Sequence, residues 1–364
     1  MSALHWFQFL ISFAIQAVMV TMLACRIERR CNNATTKTRL WTSYYLCIIG
    51  LLAAGLLLPH IHWTNPWQLL NDHHLIRVVH IENAAVALLL CVWLLGVVWL
   101  AISWAYGSRQ LSLFIRKCRC ATTDELAAIA AATPAPLRNA GGSSIEFRIL
   151  PDTIAPFCYQ LHRPLVLLPQ AVVTGDADDL RQILQHELTH LETQHPVQVF
   201  IQRSVQTLLW FMPPVWTAGR MARLAREFVC DEASVDGGES AARYLRMLLR
   251  YARCENECDA AVLNAVRSPH ELNIRAHRLA SCDGNSDARL MRFAPALLLL
   301  VTLTATQFWV PTNPLASSKS WYSPWPHWTA AVLHAFDIPV RDFDQFDSRL
   351  QLHDLEKQGS SAPG

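Results

Sequence analysis

Charge is scarce in this chain. Asp, Glu, Lys and Arg make up 16% of its 364 residues and hydrophobic residues 52%, where an average soluble domain carries about 25% charged residues. That shortage excludes an ordinary water-soluble protein. No basic residue precedes the first apolar run and no small-residue cleavage site precedes Arg26, so this run reads as an uncleaved helix and not a signal peptide. The eleven cysteines avoid the stretch after residue 311, and most fall in apolar runs or near basic segments, which argues against a disulfide framework. Cys118-Arg119-Cys120 and Cys254…Cys258 each lack a matching second pair, so free thiols are expected there.

What is present is a set of four apolar runs near the ~20 residues that cross a bilayer. They extend roughly from Leu4 to Ala24, Trp41 to Leu58, Ala84 to Tyr106 and Phe293 to Val310, with Trp6, Trp41, Trp63, Trp67, Trp104, Tyr106 and Trp309 near their ends, as an interfacial belt requires. Arg26, Arg29, Arg30, Lys37 and Arg39 follow the first run, whereas only Arg77 lies between the second and third. Arg109, Arg116, Lys117 and Arg119 follow the third, and Arg289 and Arg292 precede the fourth. By the positive-inside rule both termini are expected outside and residues 107–291 in the cytoplasm. The expected organisation is 1–106 (three spans), 107–291 (cytoplasmic domain), 292–310 (fourth span) and 311–364 (an outer tail). Trp321, Trp325 and Trp328 suit the tail to the outer membrane face, and its Gly-Ser-Ser-Ala-Pro-Gly end reads as disordered.

Within the cytoplasmic segment, His186-Glu187-Leu188-Thr189-His190 reads H-E-x-x-H in a helical setting. Thr174 and Asp176 offer N-caps, and Asp176, Asp178 and Asp179 suit the positive end of a helix dipole. Leu180, Ile183, Leu184, Leu188 and Leu191 recur at helical spacing, and Pro196 is expected to end the run. Residues four apart share a helix face, so His186 and His190 can present two imidazoles to one zinc ion, with Glu187 placed to take a proton from water. This is the chemistry of peptide-bond hydrolysis. Two histidines falling four apart on a surface is the bland alternative, opposed by the glutamate, the helical frame and a downstream partner.

A third ligand is required. The metzincin arrangement needs glycine at 193 and histidine at 196, where the chain has Thr193 and Pro196. Glu227, in Arg226-Glu227-Phe228-Val229-Cys230-Asp231, is the better candidate, on a helix predicted from Gly219 to Val235 and stopped by Gly237-Gly238. Asp231, four residues on, can accept a hydrogen bond from the far nitrogen of a ligand histidine; a solvated acidic helix face is the other reading of this pair. His195 and Glu192 are rival ligands, disfavoured because they lie beyond the motif on the same helix. His270-Glu271-Leu272-Asn273-Ile274 begins like the motif but has isoleucine at the second histidine, and reads as ordinary helix surface.

Elsewhere in the segment, Thr122 to Thr133 predicts an Ala-rich helix, 133–144 a linker, and Ile145–Leu150 and Leu165–Leu168 short strands with turns at Pro151, Pro156 and Pro164. An exposed edge strand beside the metal helix can align an extended substrate peptide. Val197 to Trp216 reads either as an interfacial or re-entrant hairpin turning at Pro213-Pro214 or as a buried amphipathic helix.

The motif HELTH, then Pro213-Pro214-Val215-Trp216, then Arg226 to Asp231 resembles the membrane zinc metallopeptidases of the β-lactam sensor-transducers (BlaR/MecR type). Pro156-Phe157 and Arg163 to Pro169 look like that family's segment before the metal helix, and Tyr244 and Leu248-Leu249 fit its continuation. The resemblance covers about residues 1–310. It implies a gluzincin-like site with His186, His190 and Glu227 as zinc ligands and Glu187 as general base, and four spans with outward termini. Gln160 stands where the family usually has glycine, and His195 where it often has aspartate. Family members that sense β-lactams carry a penicillin-binding domain after the fourth span. The ~54 residues from 311 hold no Ser-x-x-Lys and are too short for one.

The expected fold class is therefore an α-helical multi-pass membrane protein of four spans with a cytoplasmic α+β, gluzincin-like zinc metallopeptidase domain, in the inner (cytoplasmic) membrane. Zn2+ is the expected cofactor. The expected partners are the lipid bilayer and a cytoplasmic protein substrate, either a transcriptional repressor or the chain itself, with Ser281 to Asp287 as a candidate self-cleavage stretch; no direct nucleic-acid contact is expected. Two other readings stand beside this one. In the first, a non-catalytic transducer has a structural zinc site and senses metal or acidity through His60, His62, His73, His74 and His80. In the second, the chain is a housekeeping protease of membrane proteins.

Overall fold

The apolar runs become helices because, in hydrocarbon, a helix satisfies its own backbone polar groups. The structure is a computed structural model. It describes residues 3–57, 60–62, 72–137, 145–152, 154–160, 163–235, 241–249, 269–280, 293–306, 308–310, 322–323 and 336. Helices α1 (Ala3–Glu28), α2 (Ala34–Leu57) and α3 (Asp72–Lys117) contain three candidate membrane spans, of 23, 24 and 42 residues. The chain divides into two compact units. One comprises Met1–Ile27, Ser43–Val98 and Phe293–Gly364, the other Glu28–Thr42 and Trp99–Arg292.

In the first unit the polar side chains turn inward. Gln8, Ser12 and Gln16 recur every four residues on a buried face of α1, while Ile15, Met19 and Met22 are exposed. Gln16 Nε2 donates to the carbonyls of Ala305 and Phe308 at 2.9 and 2.8 Å, and Ser12 Oγ accepts from Val310 N at 2.9 Å. Thr21 and Tyr44 share a hydroxyl contact of 2.8 Å. Such bonds join helices where water cannot. The fourth apolar run is helical over α11 (Ala294–Ala305), whose 12 residues rise only about 18 Å. Gln16 takes up the carbonyls at its end, and the chain leaves the helix for β6 (Phe308–Trp309). That strand pairs parallel with β1 (His60–His62), which pairs antiparallel with β7 (Tyr322–Ser323).

The second unit holds a four-stranded sheet in the order β2 (Arg119–Cys120), β3 (Glu146–Leu150), β5 (Pro164–Pro169), β4 (Phe157–Gln160). Side chains on a strand alternate faces, and β5 is buried on both. Val166 and Leu168 join the core under the metal-motif helix, while Leu165 and Leu167 pack with Leu111, Phe114 and Ile115 of α3. This packing explains why α3 continues to Lys117, past the predicted end of the span at Tyr106. The edge strand β4, antiparallel to β5, was absent from the sequence reading; Pro156 precedes it, and proline is tolerated at the start of an edge strand.

Helix α4 (Thr123–Ala132) confirms the predicted Ala-rich helix and opens with a Thr122/Glu125 capping box. A short α5 (Gln170–Val173) precedes α6 (Ala177–Glu192); Thr174 ends the former and Asp176 caps the latter, accepting from the amides of Asp178 and Asp179. Then come α7 (His195–Leu208), α8 (Pro213–Ala233), α9 (241–249) and α10 (Pro269–Ala280). Two boundaries differ from expectation. Gln194, at φ 54°, turns the chain out of α6 in the left-handed region, and Pro196 then sits in the first turn of α7. Helix α8 starts at Pro213-Pro214 and not at Gly219, because first-turn amides need no intrahelical acceptor. Cys254, Cys258, Gly237-Gly238, the 281–287 stretch, Trp321, Trp325, Trp328 and most of the histidine-bearing segment between α2 and α3 lie outside the described residues.

Candidate metal centre

Helix α6 carries its leucines and Ile183 into the core, which carries His186 and Glu187 inward with them, both 4% exposed. The Nε2 atoms of His186 and His190 lie 3.3 Å apart. Across from them, on α8, the carboxylate of Glu227 places one oxygen 3.7 Å from His186 Nε2 and the other 3.7 Å from His190 Nε2. A tetrahedral zinc with ligand bonds of about 2.0–2.1 Å holds its ligand atoms roughly 3.4 Å apart. The three groups thus enclose a point at zinc-binding separations, and two imidazoles with one carboxylate are a donor set for such an ion.

His186, His190 and Cys230 also form a group whose candidate ligand atoms lie within 4.8 Å of one another. The ring geometry favours Glu227. Cys230 Sγ is 3.7 Å from His195 Nδ1, and His195 Nδ1 is 2.8 Å from His190 Nδ1, so the thiol sits behind the His190 ring and away from the converging Nε2 atoms. Burial pushes the Cys230 thiol well up, with Glu227 and Asp231 pushing the same way. Of the rival ligands, His195 is buried but placed behind His190, and Glu192 is exposed at the end of α6.

The family model described as BlaR1 peptidase M56 matches residues 8–279 of the chain. The chain belongs to that family. The Regulatory protein BlaR1 of Bacillus licheniformis is 19% identical over 337 residues, which cover 82% of this chain and 55% of that relative. The chain thus spans about half the length of the curated relative it matches. M56 enzymes are metallopeptidases, and the paired imidazoles on α6 are where this member can hold a metal.

Both departures from the M56 pattern have a place in the structure. Gln160 ends β4, opposite Pro164. His195 stands against His190, and burial, with Arg226 next in weight, lowers its imidazole to about 3. It is therefore a neutral support where the family often has a carboxylate. His195 Nε2 has no hydrogen-bond partner among the described residues.

Behind His186 the support is charged. Its Nδ1 meets the Tyr244 hydroxyl at 2.8 Å, and that hydroxyl donates to Asp231 at 2.7 Å. Arg275, 2% exposed, forks onto both oxygens of Asp231 at 2.7 and 2.5 Å and reaches Glu227 at 3.0 Å. Asp231 Oδ1 also lies 3.5 Å from His186 Nδ1, so Asp231 backs His186 both directly and through Tyr244. Arg275 was missed in the sequence, where its neighbourhood read as helix surface. The one signal was spacing: Leu272, Arg275 and Leu279 follow i, i+3, i+7, and both leucines pack against the core. Glu187 faces the edge strand β4, whose Cys158 thiol hydrogen-bonds to it and is pushed well up, first by burial and then by Glu187 and Glu227.

Proposed function

We propose that this chain is a zinc-dependent membrane endopeptidase, with His186, His190 and Glu227 as metal ligands and Glu187 as general base. The observation that carries the reading is the set of 3.3, 3.7 and 3.7 Å separations among the three ligand groups. Zinc, when bound, supplies a Lewis acid that polarises a carbonyl and brings the pKa of water towards about 7. Glu187 accepts the proton of the attacking water and returns it to the leaving amide nitrogen. The edge of β4 beside Glu187, which has no strand partner on that side among the described residues, pairs with an extended substrate segment by main-chain hydrogen bonds. Tyr244 and Asp231 fix the tautomer of His186, and His195 that of His190.

The basic flanks support four spans with both termini outside and residues 107–291 in the cytoplasm of an inner-membrane protein. The substrate is then a cytoplasmic protein, with a repressor the reading that kinship to a regulatory protein favours, or the chain itself within 281–287. The test compares cells carrying the native chain with cells carrying Glu187→Gln. Equal zinc in the two purified proteins, with cleavage products in native cells alone, is the expected result. Equal zinc with identical proteomes would replace the enzyme by a non-catalytic transducer, and absence of zinc from both would remove the ligand assignment.

A further inference from the structure

We propose that the α7–α8 hairpin of the peptidase unit rests on an anionic bilayer surface. The sequence between Glu192 and Glu227 contains no Asp or Glu, but it contains Arg203, Arg220, Arg223 and Arg226. The seam between the two helices is polar. Gln202 Nε2 donates to Gly219 O at 3.3 Å, Arg226 donates to Gln202 Oε1 at 2.8 Å, and Gln206 is buried. A Cβ at Gly219 would lie 2.1 Å from Gln206 Nε2, so the glutamine amides of α7 pack directly on the bare backbone of α8 at this position.

Val205, Leu209, Met212 and Val215 are buried, yet a second set of large apolar side chains lies on the outside. Val197, Phe200, Phe211, Trp216 and Met221 are 45, 55, 44, 36 and 37% exposed. A hairpin surrounded by water keeps its outer face polar. Polar seams with apolar exteriors are selected where the surroundings are lipid, and aromatic and cationic side chains together suit the headgroup boundary. Continuity with a span supports the same occupant. The rings of Trp104 on α3 and Phe200 on α7 lie 5.3 Å apart, and Trp99, Ile102 and Tyr106 of α3 are exposed beside them in sequence. The exposed Arg203 and Arg220, in a stretch between Glu192 and Glu227 that has no acid to offset them, select anionic headgroups over neutral ones. This assignment depends on the chain being in a membrane and not on the metal site.

The test encodes an environment-sensitive fluorescent amino acid at Phe200 or Phe211 of the full chain, both exposed positions whose replacement disturbs no core. The chain is placed in phosphatidylcholine nanodiscs with or without phosphatidylglycerol. Blue-shifted emission is expected at both positions. Nitroxide lipids at the headgroup–acyl boundary, about 5–10 Å deep, should quench it roughly two-fold, and they should leave a probe at the exposed Leu126 of α4 unaffected. Arg203→Gln with Arg220→Gln should reduce the quenching in phosphatidylglycerol discs to the level seen without that lipid. Emission matching that at 126 overturns the proposal. So does a blue shift without lipid quenching, which would mean that a second copy or another protein covers the face.

Discussion

His186 and His190 lie one turn apart on α6 and aim their Nε2 atoms at one point, yet their other nitrogens are held in unlike ways. Behind His186 stands a buried chain of Tyr244, Asp231 and Arg275, drawn from α9, α8 and α10. Behind His190 stands His195, only five residues away, with the Cys230 thiol next to it. The first support is charged and long-range, and it requires every member to be present; the second is neutral, and the left-handed turn at Gln194 supplies it locally. A charge taken out of water must be paired to be tolerated, whereas a neutral imidazole is not so bound. The His186 side should therefore govern folding and metal retention together, and the His190 side should only tune the metal.

The sharpest way to break this contrast is Asp231→Ala. It leaves Arg275 buried with Glu227 as its remaining carboxylate, and the expected loss of stability is about 3–5 kcal/mol, read from chemical denaturation of the reconstituted chain. The double change Asp231→Leu with Arg275→Met removes both charges and should recover most of that loss while leaving zinc weakly bound. A single variant as stable as the native chain would show that the charged network is not structural.

Tyr244→Phe comes next in size. It keeps the buried ring and removes only the hydroxyl between His186 and Asp231, so zinc affinity should fall by roughly 10–100-fold while stability changes by about 1 kcal/mol. His195→Leu should weaken zinc less, by about ten-fold at most, and His195→Asp should strengthen it, because a carboxylate raises the basicity of the histidine it supports. Competition against a chelator of known affinity measures all three. If His195→Leu costs more than Tyr244→Phe, the ranking of the two sides is wrong.

What could be read from the sequence was local. The cap at Asp176, the leucine stripe and H-E-x-x-H all lie within one helix, and Glu227 and Asp231 show the same four-residue logic on α8. Tyr244 and Arg275 are 58 and 44 residues from the groups they bond, and no local pattern assigns such partners. Tyr244 was legible only as a likeness to a family, without a role. Strand β4 was lost for another reason: four residues after a proline carry too little alternation to register, and it is pairing with β5 that makes them a strand. Helix α3 outran its predicted end because packing of Leu111, Phe114 and Ile115 outweighs the glycine at 107.

The smallest effect isolates the neutral side alone. In the native state burial, then Arg226, holds the His195 imidazole down at about 3, while an unfolded chain protonates it near its ordinary value of about 6.5. A depressed pKa means that the folded state binds fewer protons, so the contribution is fully present above about 6.5 and is lost as pH falls from there towards 3. The metal-free chain, kept so with a chelator, should lose about 1 kcal/mol more stability than His195→Leu between pH 7 and 5.5. Thermal melts of the two chains across that range measure the difference. Parallel curves would mean that His195 is not a buried neutral base, and the contrast between the two histidine supports would then rest on the charged side alone.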